Sequence, residues 1–353
     1  MIVRAMDMVP KDSSPGYPYA LLAADNQQLF RDHSAMVIQL VKERLAVLDG
    51  GPLAEGPNMA VRLVQAGHCD PLKVFIKDEV HKEAKIAEGR LRLIMSNSVI
   101  DQIVERLLFS EQNSVEIANW LTCPSKPGIG LTSDAQTTAL FDSVKEHLLR
   151  LWESDASGWD WHYQLWMYVL DLKRRALLNS ADPNSSWMRI ATAVIQCASY
   201  SVFVTSHGRF FAQTLPGLMK SGKYITSSAN SAARNGCAYI VGADYTIAMG
   251  DDCNETSDKT EAELKEAYYA LGQDMKMFRK CKNNSFEFCS HDFYADKAIP
   301  NNPNKGLVKL LYAKPCEQKL AQFSDEYRHV PDIKETLAFI RSLPGWGREK
   351  NAN

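Results

Sequence analysis

Two acidic clusters dominate the chemistry open to this chain. One reads Ser154-Asp155-Ala156-Ser157-Gly158-Trp159-Asp160, and the other reads Met249-Gly250-Asp251-Asp252 after the apolar Ile247-Ala248. Between them lies Ser221-Gly222-Lys223-Tyr224-Ile225-Thr226-Ser227-Ser228-Ala229-Asn230. An Asp at the tip of one strand and an Asp-Asp in a neighbouring hairpin turn can hold two Mg²⁺ ions between them. In-line phosphoryl transfer uses that arrangement, one metal activating the attacking oxygen and the other steadying the leaving one.

Each cluster has a plainer reading. Asp-x-x-x-x-Asp alone is usually a solvated loop. Here Asp155 follows a short apolar stretch, and Ser157-Gly158 supplies a turn before Asp160. One carboxylate at the strand tip is then placed for metal, and the other can face a sugar hydroxyl. Gly250-Asp251-Asp252 alone is a common surface turn. An apolar strand feeding it implies burial, and buried carboxylates need partners such as metal. Ser221, Thr226 and Asn230 fall on one predicted helix over 221–237, with Thr226 and Asn230 four apart and so on one face. Ser221-Gly222 at that helix start would offer a turn and free backbone N–H groups to a phosphate or template.

Gly217-Leu218-Met219-Lys220-Ser221-Gly222-Lys223 imitates the phosphate loop of NTPases. The next residue is Tyr224, so the Mg²⁺-binding hydroxyl of that motif is missing. Upstream, Lys73, Lys77, Lys82, Lys85, Arg90 and Arg92 crowd one stretch. A strand over 89–96 would project Arg90 and Arg92 to one face, where they could clamp triphosphate oxygens.

At 353 residues the chain is too long for one simple core, so two or three subdomains are expected. A net charge of −2 is unusual for a nucleic-acid binder, but such a protein needs only a local basic surface. The eight cysteines include no Cys-x-x-Cys pair, which argues against structural zinc. No charged-then-apolar leader opens the sequence. The apolar run 190–205 is broken by Gln196, Ser199 and Ser201, too short and polar for a membrane span, and reads as a buried helix or strand.

The remaining pattern supplies the frame. Helices are expected over 27–48, 99–109, 163–178 and 259–271. Strands are expected at 72–77 and 148–154. Hairpins are expected at 245–256 and 286–294, and a small helical unit follows residue 305. Residues 12–18 are turn-rich.

This constellation resembles the RNA-dependent RNA polymerases of positive-strand RNA viruses, most closely the sobemovirus and polerovirus-like group. Residues 13–18 (Ser-Ser-Pro-Gly-Tyr-Pro) resemble the template-entrance motif, 77–94 the basic fingers motif, 155–160 motif A, 221–230 motif B and 250–252 motif C. Residues 271–280 resemble motif D and 286–290 motif E. Arg90-Leu91-Arg92-Leu93-Ile94-Met95-Ser96 and Pro124-Ser125-Lys126-Pro127-Gly128 suggest the particular group. Only twelve residues precede Ser13, fewer than the resemblance leads one to expect, and the C-terminal part is short.

The resemblance implies an α+β right-hand fold with an antiparallel palm sheet of RRM/ferredoxin-like type. It divides the chain into fingers (1–150), palm (151–178), a fingers insertion (179–215), palm (216–295) and thumb (296–353). It gives Asp155, Asp251 and Asp252 to two Mg²⁺ ions, with Mn²⁺ able to substitute. It gives Asp160 and Asn230 to the ribose 2′-hydroxyl, with Ser221 and Thr226 in support, and Lys77, Arg90 and Arg92 to the incoming triphosphate. Ser14, Gly16, Tyr17, Lys82, Lys85 and Gly222 would meet RNA. Lys276 would protonate pyrophosphate, with Lys280 fitting equally well. The implied partners are template and product RNA, NTPs, a protein primer and other viral replication proteins. The implied location is host cytoplasm at membrane-associated replication complexes. A reverse transcriptase and an inactive RNA-binding remnant are the alternatives. Asp160 with Asn230 favours ribonucleotides over the first, and the retained carboxylates favour activity over the second.

Overall fold

In the computed structural model, which describes residues 1–81, 83–131, 133–282 and 284–346, a four-stranded sheet carries both acidic clusters. Its strands are Leu151–Ala156, Thr246–Met249, Asp252–Thr256 and Met275–Lys280. The first strand lies between the third and fourth, the second is at the edge, and every pairing is antiparallel. Helices Leu165–Leu178 and Thr226–Ile240 intervene between the first and second strands, and Glu261–Ala270 between the third and fourth. This is the β-α-β-β-α-β order of ferredoxin-like sheets.

Local sequence explains the connections. The hairpin turn needs only Gly250 and Asp251, because Met249 already pairs with Asp252. Gly250 sits at φ +65°, where L side chains are rarely found. Helix Glu261–Ala270 begins in a capping box of Thr260 and Glu263. Helix Thr226–Ile240 buries Ala229, Ala232, Ala233 and Cys237, small side chains that let its backbone approach the sheet.

A second sheet joins distant stretches. Leu72–Ile76 pairs antiparallel with Leu93–Ser96 and parallel with Val202–Thr205, which pairs with the exposed edge strand Phe210–Ala212. A third sheet of Phe286–Phe288, His291–Phe293 and Ala298–Pro300 packs Phe286, Phe288 and Phe293 beside Leu140, Phe141 and Ile247. Helices Pro303–Tyr312, Glu317–Glu326 and Ile333–Ser342 enclose their own core of Leu310, Leu320, Phe323, Ile340 and Trp346.

Several boundaries differ from the sequence pattern. The apolar run over 190–205 is neither one helix nor one strand: Ser186–Ser199 is helical and Val202–Thr205 is a strand. The helix expected over 99–109 continues as Val99–Ala118, started by the Ser98 side chain accepting from the Asp101 N–H. The strand expected over 148–154 starts at Leu151, after a 3₁₀ turn. Among the described residues no helix is long and apolar enough to cross a membrane.

Candidate active site

Asp155 sits at the end of its strand, at a bulge in the pairing with Met275–Lys280. The register places Ser154 opposite Cys253 on one side and Asp155 opposite Met277 on the other. Asp155, Asp252, Glu153 and Glu287 share the lining of a cleft of about 290 Å³. Asp155 and Asp252, far apart in sequence, therefore meet at one end of two neighbouring interior strands.

Their electrostatics reflect that crowding. Asp252 is exposed in part but lines the cleft, where it faces Asp251, Asp155 and Glu287. Burial first, and then those three acids, push its carboxyl up to about 6 against a relief from Arg234. Asp160 is also raised, by burial first and then by Asp251, with its hydrogen bond to Asn230 acting against the shift. Asp155 turns both carboxylate oxygens to the Lys276 ammonium, at 3.2 and 3.0 Å. Lys280, four residues on, instead lies 5.3 Å over the Trp152 ring. Among the described residues, no three His, Cys, Asp or Glu side chains close into a metal-binding group.

Helix Thr226–Ile240 reads both clusters from one face. Asn230 donates to Asp160 at 3.0 Å and accepts from the Trp159 indole at 3.2 Å. One residue on, the Ser231 hydroxyl accepts from the Gly250 N–H at 2.9 Å. Arg234, fully buried, donates to the Asp251 carbonyl at 3.3 Å and also to the Ser154 hydroxyl.

The segment before that helix departs from expectation. The helix does not begin at Ser221; it starts at Thr226. Residues 217–225 are held as a loop by the buried Lys220 ammonium, which donates to the Ala198 carbonyl at 2.6 Å and the Gly217 carbonyl at 2.7 Å. Burial first, then Lys223, pushes the Lys220 amine well below its usual value. Gly222 bridges to Ser96, and a Cβ there would stand 2.2 Å from the Met95 carbonyl oxygen. The glycine is thus required for contact with the second sheet, and not to open a helix. Ser221 accepts from the Met95 N–H at 3.3 Å. Thr226 shares the helix with Asn230, but its hydroxyl donates back to the Lys220 and Lys223 carbonyls at 2.8 and 2.9 Å.

The basic stretch is also rearranged. Arg90 and Arg92 do not alternate on a strand, because the strand begins at Leu93. Helix Glu83–Ala87 precedes it and ends at Gly89, with φ +66° and the Arg90 N–H returning to the Lys85 carbonyl at 2.9 Å. That is a glycine helix stop, and it uses residues that simple alternation assigns to the strand. Arg90 pairs with Glu88. Arg92 and Lys77 both pair with Glu79, at 3.2 and 2.9 Å. Arg92 nevertheless contributes to the field at Asp160. Lys85 is exposed on the short helix, and Lys82 lies outside the described residues.

At the turn-rich N-terminal stretch, Gly16 adopts φ +70°, and a Cβ there would lie 2.3 Å from the Asn97 carbonyl oxygen. Ser14 accepts from the Gly16 N–H at 3.3 Å. Tyr17 packs edge-on to Phe210 at 5.8 Å. The three residues shape a loop against the second sheet, and none of them lines the acidic cleft.

Sequence reasoning missed Ser231, Arg234 and Glu79. The available signal for Arg234 was a lone arginine four residues after Asn230, the only charged residue in a helix rich in small ones.

The profile of a family described as viral RNA-directed RNA-polymerase matches residues 15–301. The replicase polyprotein P2AB of Southern cowpea mosaic virus is 36% identical over 344 residues, covering 95% of this chain and 35% of the relative. Protein P1-P2 of potato leafroll virus is 38% identical over 328 residues, covering 88% of this chain and 30% of the relative. The chain thus spans about a third of the length of the curated relatives it matches. A solved sicinivirus 3Dpol RNA-dependent RNA polymerase superposes with a TM-score of 0.65 at 16% identity, over 85% of this chain and 65% of that one. That likeness establishes a right-hand polymerase fold. On the strength of the profile match, this chain belongs to the viral RNA-directed RNA polymerase family.

Proposed function

We propose that this chain catalyses template-directed RNA synthesis, adding NTPs to an RNA 3′-end and releasing pyrophosphate, in replication of a positive-strand viral genome. The observation that carries the reading is Asp155 and Asp252 lining one cleft at one end of the sheet, with Asp251 acting on the carboxyls of Asp252 and Asp160 and Asn230 on the adjoining helix bonded to Asp160.

Asp155, Asp251 and Asp252 would hold two Mg²⁺ ions, or Mn²⁺ in their place. The donor set fits, being carboxylate oxygens suited to hard cations. The Lys276 ammonium on Asp155 already occupies the place of a positive charge. Bound there, such ions supply activation of the attacking 3′-hydroxyl and stabilisation of the leaving pyrophosphate. The chain's own groups do the rest. Asp160, oriented by Asn230, accepts from the ribose 2′-hydroxyl. Arg92 and Lys77 exchange Glu79 for triphosphate oxygens, and Arg90 adds a second guanidinium. Lys276, beside Asp155, is the better-placed proton donor to pyrophosphate. Ser221 and Thr226 shape the loop beneath the nucleotide. Ser14, Gly16, Tyr17, Lys85 and Gly222 border the template path.

In this reading residues 151–178 and 216–295 are palm, 1–150 and 179–215 fingers, and the C-terminal helices thumb. The second sheet supports the fingers division, because it pairs strands from both proposed fingers segments. Template and product RNA are the macromolecular ligands. A protein primer and other viral replication proteins, at membrane-associated complexes in host cytoplasm, complete the proposal. The polyprotein names of the relatives support such partners. Primer extension on homopolymer RNA tests the function; failure of the folded protein to incorporate any NTP with Mg²⁺ or Mn²⁺ would overturn it.

A further inference from the structure

We infer that Arg234 is a positioning residue that locks the two carboxylate-bearing elements in one register, acting on the Asp155 side through the Ser154 hydroxyl. The inference rests on the polymerase reading above and adds a residue to it.

Arg234 lies on helix Thr226–Ile240 with its side chain fully buried. Its guanidinium spends each face and edge differently. Nη2 donates to Ser154 Oγ, the residue before Asp155. Nε donates to the backbone carbonyl of Asp251 at 3.3 Å. Nη1 donates to the Tyr268 hydroxyl at 2.7 Å and stands 3.7 Å from Glu255 Oε2. Tyr268 in turn donates to that same Glu255 carboxylate. The plane rests 4.8 Å from the Tyr268 ring centroid and 5.5 Å from that of Trp159. One rigid group therefore touches both acid-bearing elements, while its other edge is anchored in the core.

The chemistry requires arginine at this position. A guanidinium keeps its charge when buried, and here the Glu255 carboxylate stands 3.7 Å from Nη1 while the Tyr268 hydroxyl accepts from it. A planar fork can serve three directions at fixed angles, whereas an ammonium on a flexible stem cannot. The Ser154 hydroxyl accepts from Arg234 and donates its own hydrogen bond to the Cys253 carbonyl at 3.1 Å. That carbonyl belongs to the residue after Asp252. Ser154 thus ties the strand of Asp155 to the strand of Asp252 at the level of the cleft. Arg234 and Glu255 alone would make only a buried ion pair. The two arms toward Ser154 and Asp251 add nothing to that pair and point at the site. Catalytic geometry tolerates about half an ångström of error, so losing these arms should appear in the chemical step before it appears in folding.

Three variants separate the clamp from simple core stability. Ser154→Ala leaves the Arg234–Glu255–Tyr268 cluster whole and removes one arm. Because it unpairs the buried Arg234 Nη2, it should lower the melting temperature by about 2–6 °C, and kinetics are compared at a temperature where every variant stays folded. Single-nucleotide incorporation should fall about tenfold or more in kcat with KM for NTP within about twofold, the scale expected of a small misplacement. Calorimetric titration of Mn²⁺ should show weaker binding, by about fivefold on the same reasoning. Tyr268→Phe removes a bond on the side away from the cleft. It should lower the melting temperature with kcat within about twofold of wild type. Arg234→Lys should reproduce the Ser154→Ala defect, and adding Ser154→Ala to it should cost nothing further, because both break one path. If Arg234→Lys fails to fold, the serine and tyrosine variants decide. A folded Ser154→Ala protein with wild-type kcat and Mn²⁺ affinity overturns the clamp. If wild type itself incorporates no nucleotide, the polymerase reading falls separately. In that case an unchanged Mn²⁺ affinity in Ser154→Ala still refutes the clamp, and a weakened one still supports it.

Discussion

Replacing Asp252 with asparagine should make the metal-free protein more stable while disabling it. In the native state Asp252 has its carboxyl raised from 3.8 to about 6 by burial and by Asp251, Asp155 and Glu287. A raised carboxyl stabilises the fold only while it stays protonated. That contribution is complete below the unfolded value of 3.8 and is lost as pH rises through about 6. Above that range the ionised group is a net cost. Two pKa units correspond to about 3 kcal/mol, but Asp252 is exposed in part, and screening reduces this to about 1 kcal/mol. For a chain of this length that is roughly 2 °C in melting temperature. Thermal unfolding in EDTA should therefore show Asp252→Asn melting about 2 °C above wild type at pH 8, with the gap closing toward pH 4.5. Mg²⁺ should raise the wild-type midpoint more than the variant's, because bound cation relieves the same repulsion. A variant that melts below wild type at pH 8, or a gap of equal size at both pH values, would refute the electrostatic origin.

The other expectations concern catalysis. Asp160→Ala and Asn230→Ala should each erode the preference for NTP over dNTP by about ten- to a hundredfold, the worth of a hydrogen bond to a charged group; an unchanged ratio in both removes them from ribose readout. Arg92→Lys should raise the apparent KM for NTP or slow incorporation with little change in RNA affinity, because RNA contacts are spread over many groups. A sharp loss of RNA affinity with incorporation intact would make Arg92 a template contact instead. Lys276→Ala should slow single-nucleotide incorporation about tenfold or more, with a melting temperature nearly unchanged since its ion pair is exposed. Lys280→Ala should be nearly neutral, and the opposite order would give the proton donor's role to Lys280.

That Asp155 and Asp252 sit at strand ends and line one cleft was legible in residue type and local pattern. An apolar strand ending at Asp155 and a Gly250-Asp251 turn between two strands are short-range signals. The ferredoxin-like sheet was an implication of the family resemblance, since the local pattern gave no strand at Met275–Lys280. What was not legible depended on contacts between distant segments. Ser221 and Gly222 looked like a helix start because small residues dominate 221–237. The packing of Gly222 on the Met95 carbonyl and the three-carbonyl cradle of Lys220 make that segment a loop. Arg90 and Arg92 alternate like strand residues, yet the helix stop at Gly89 takes Arg90 away. Arg234 carried no local signal of its partners, because Ser154, Asp251, Glu255 and Tyr268 come from four other elements or turns.

The central claim is that Asp155 and Asp251-Asp252 form one site for nucleotidyl transfer. Single-nucleotide incorporation onto a primed RNA template, comparing wild type with Asp251→Ala at matched folded protein and saturating Mg²⁺, tests it most directly. Wild type should extend the primer by the templated ribonucleotide and release pyrophosphate. Asp251→Ala should retain the wild-type circular dichroism spectrum and lose incorporation by about a thousandfold or more, the scale of removing preorganised charge stabilisation. Extension by Asp251→Ala at near wild-type rate would contradict the account.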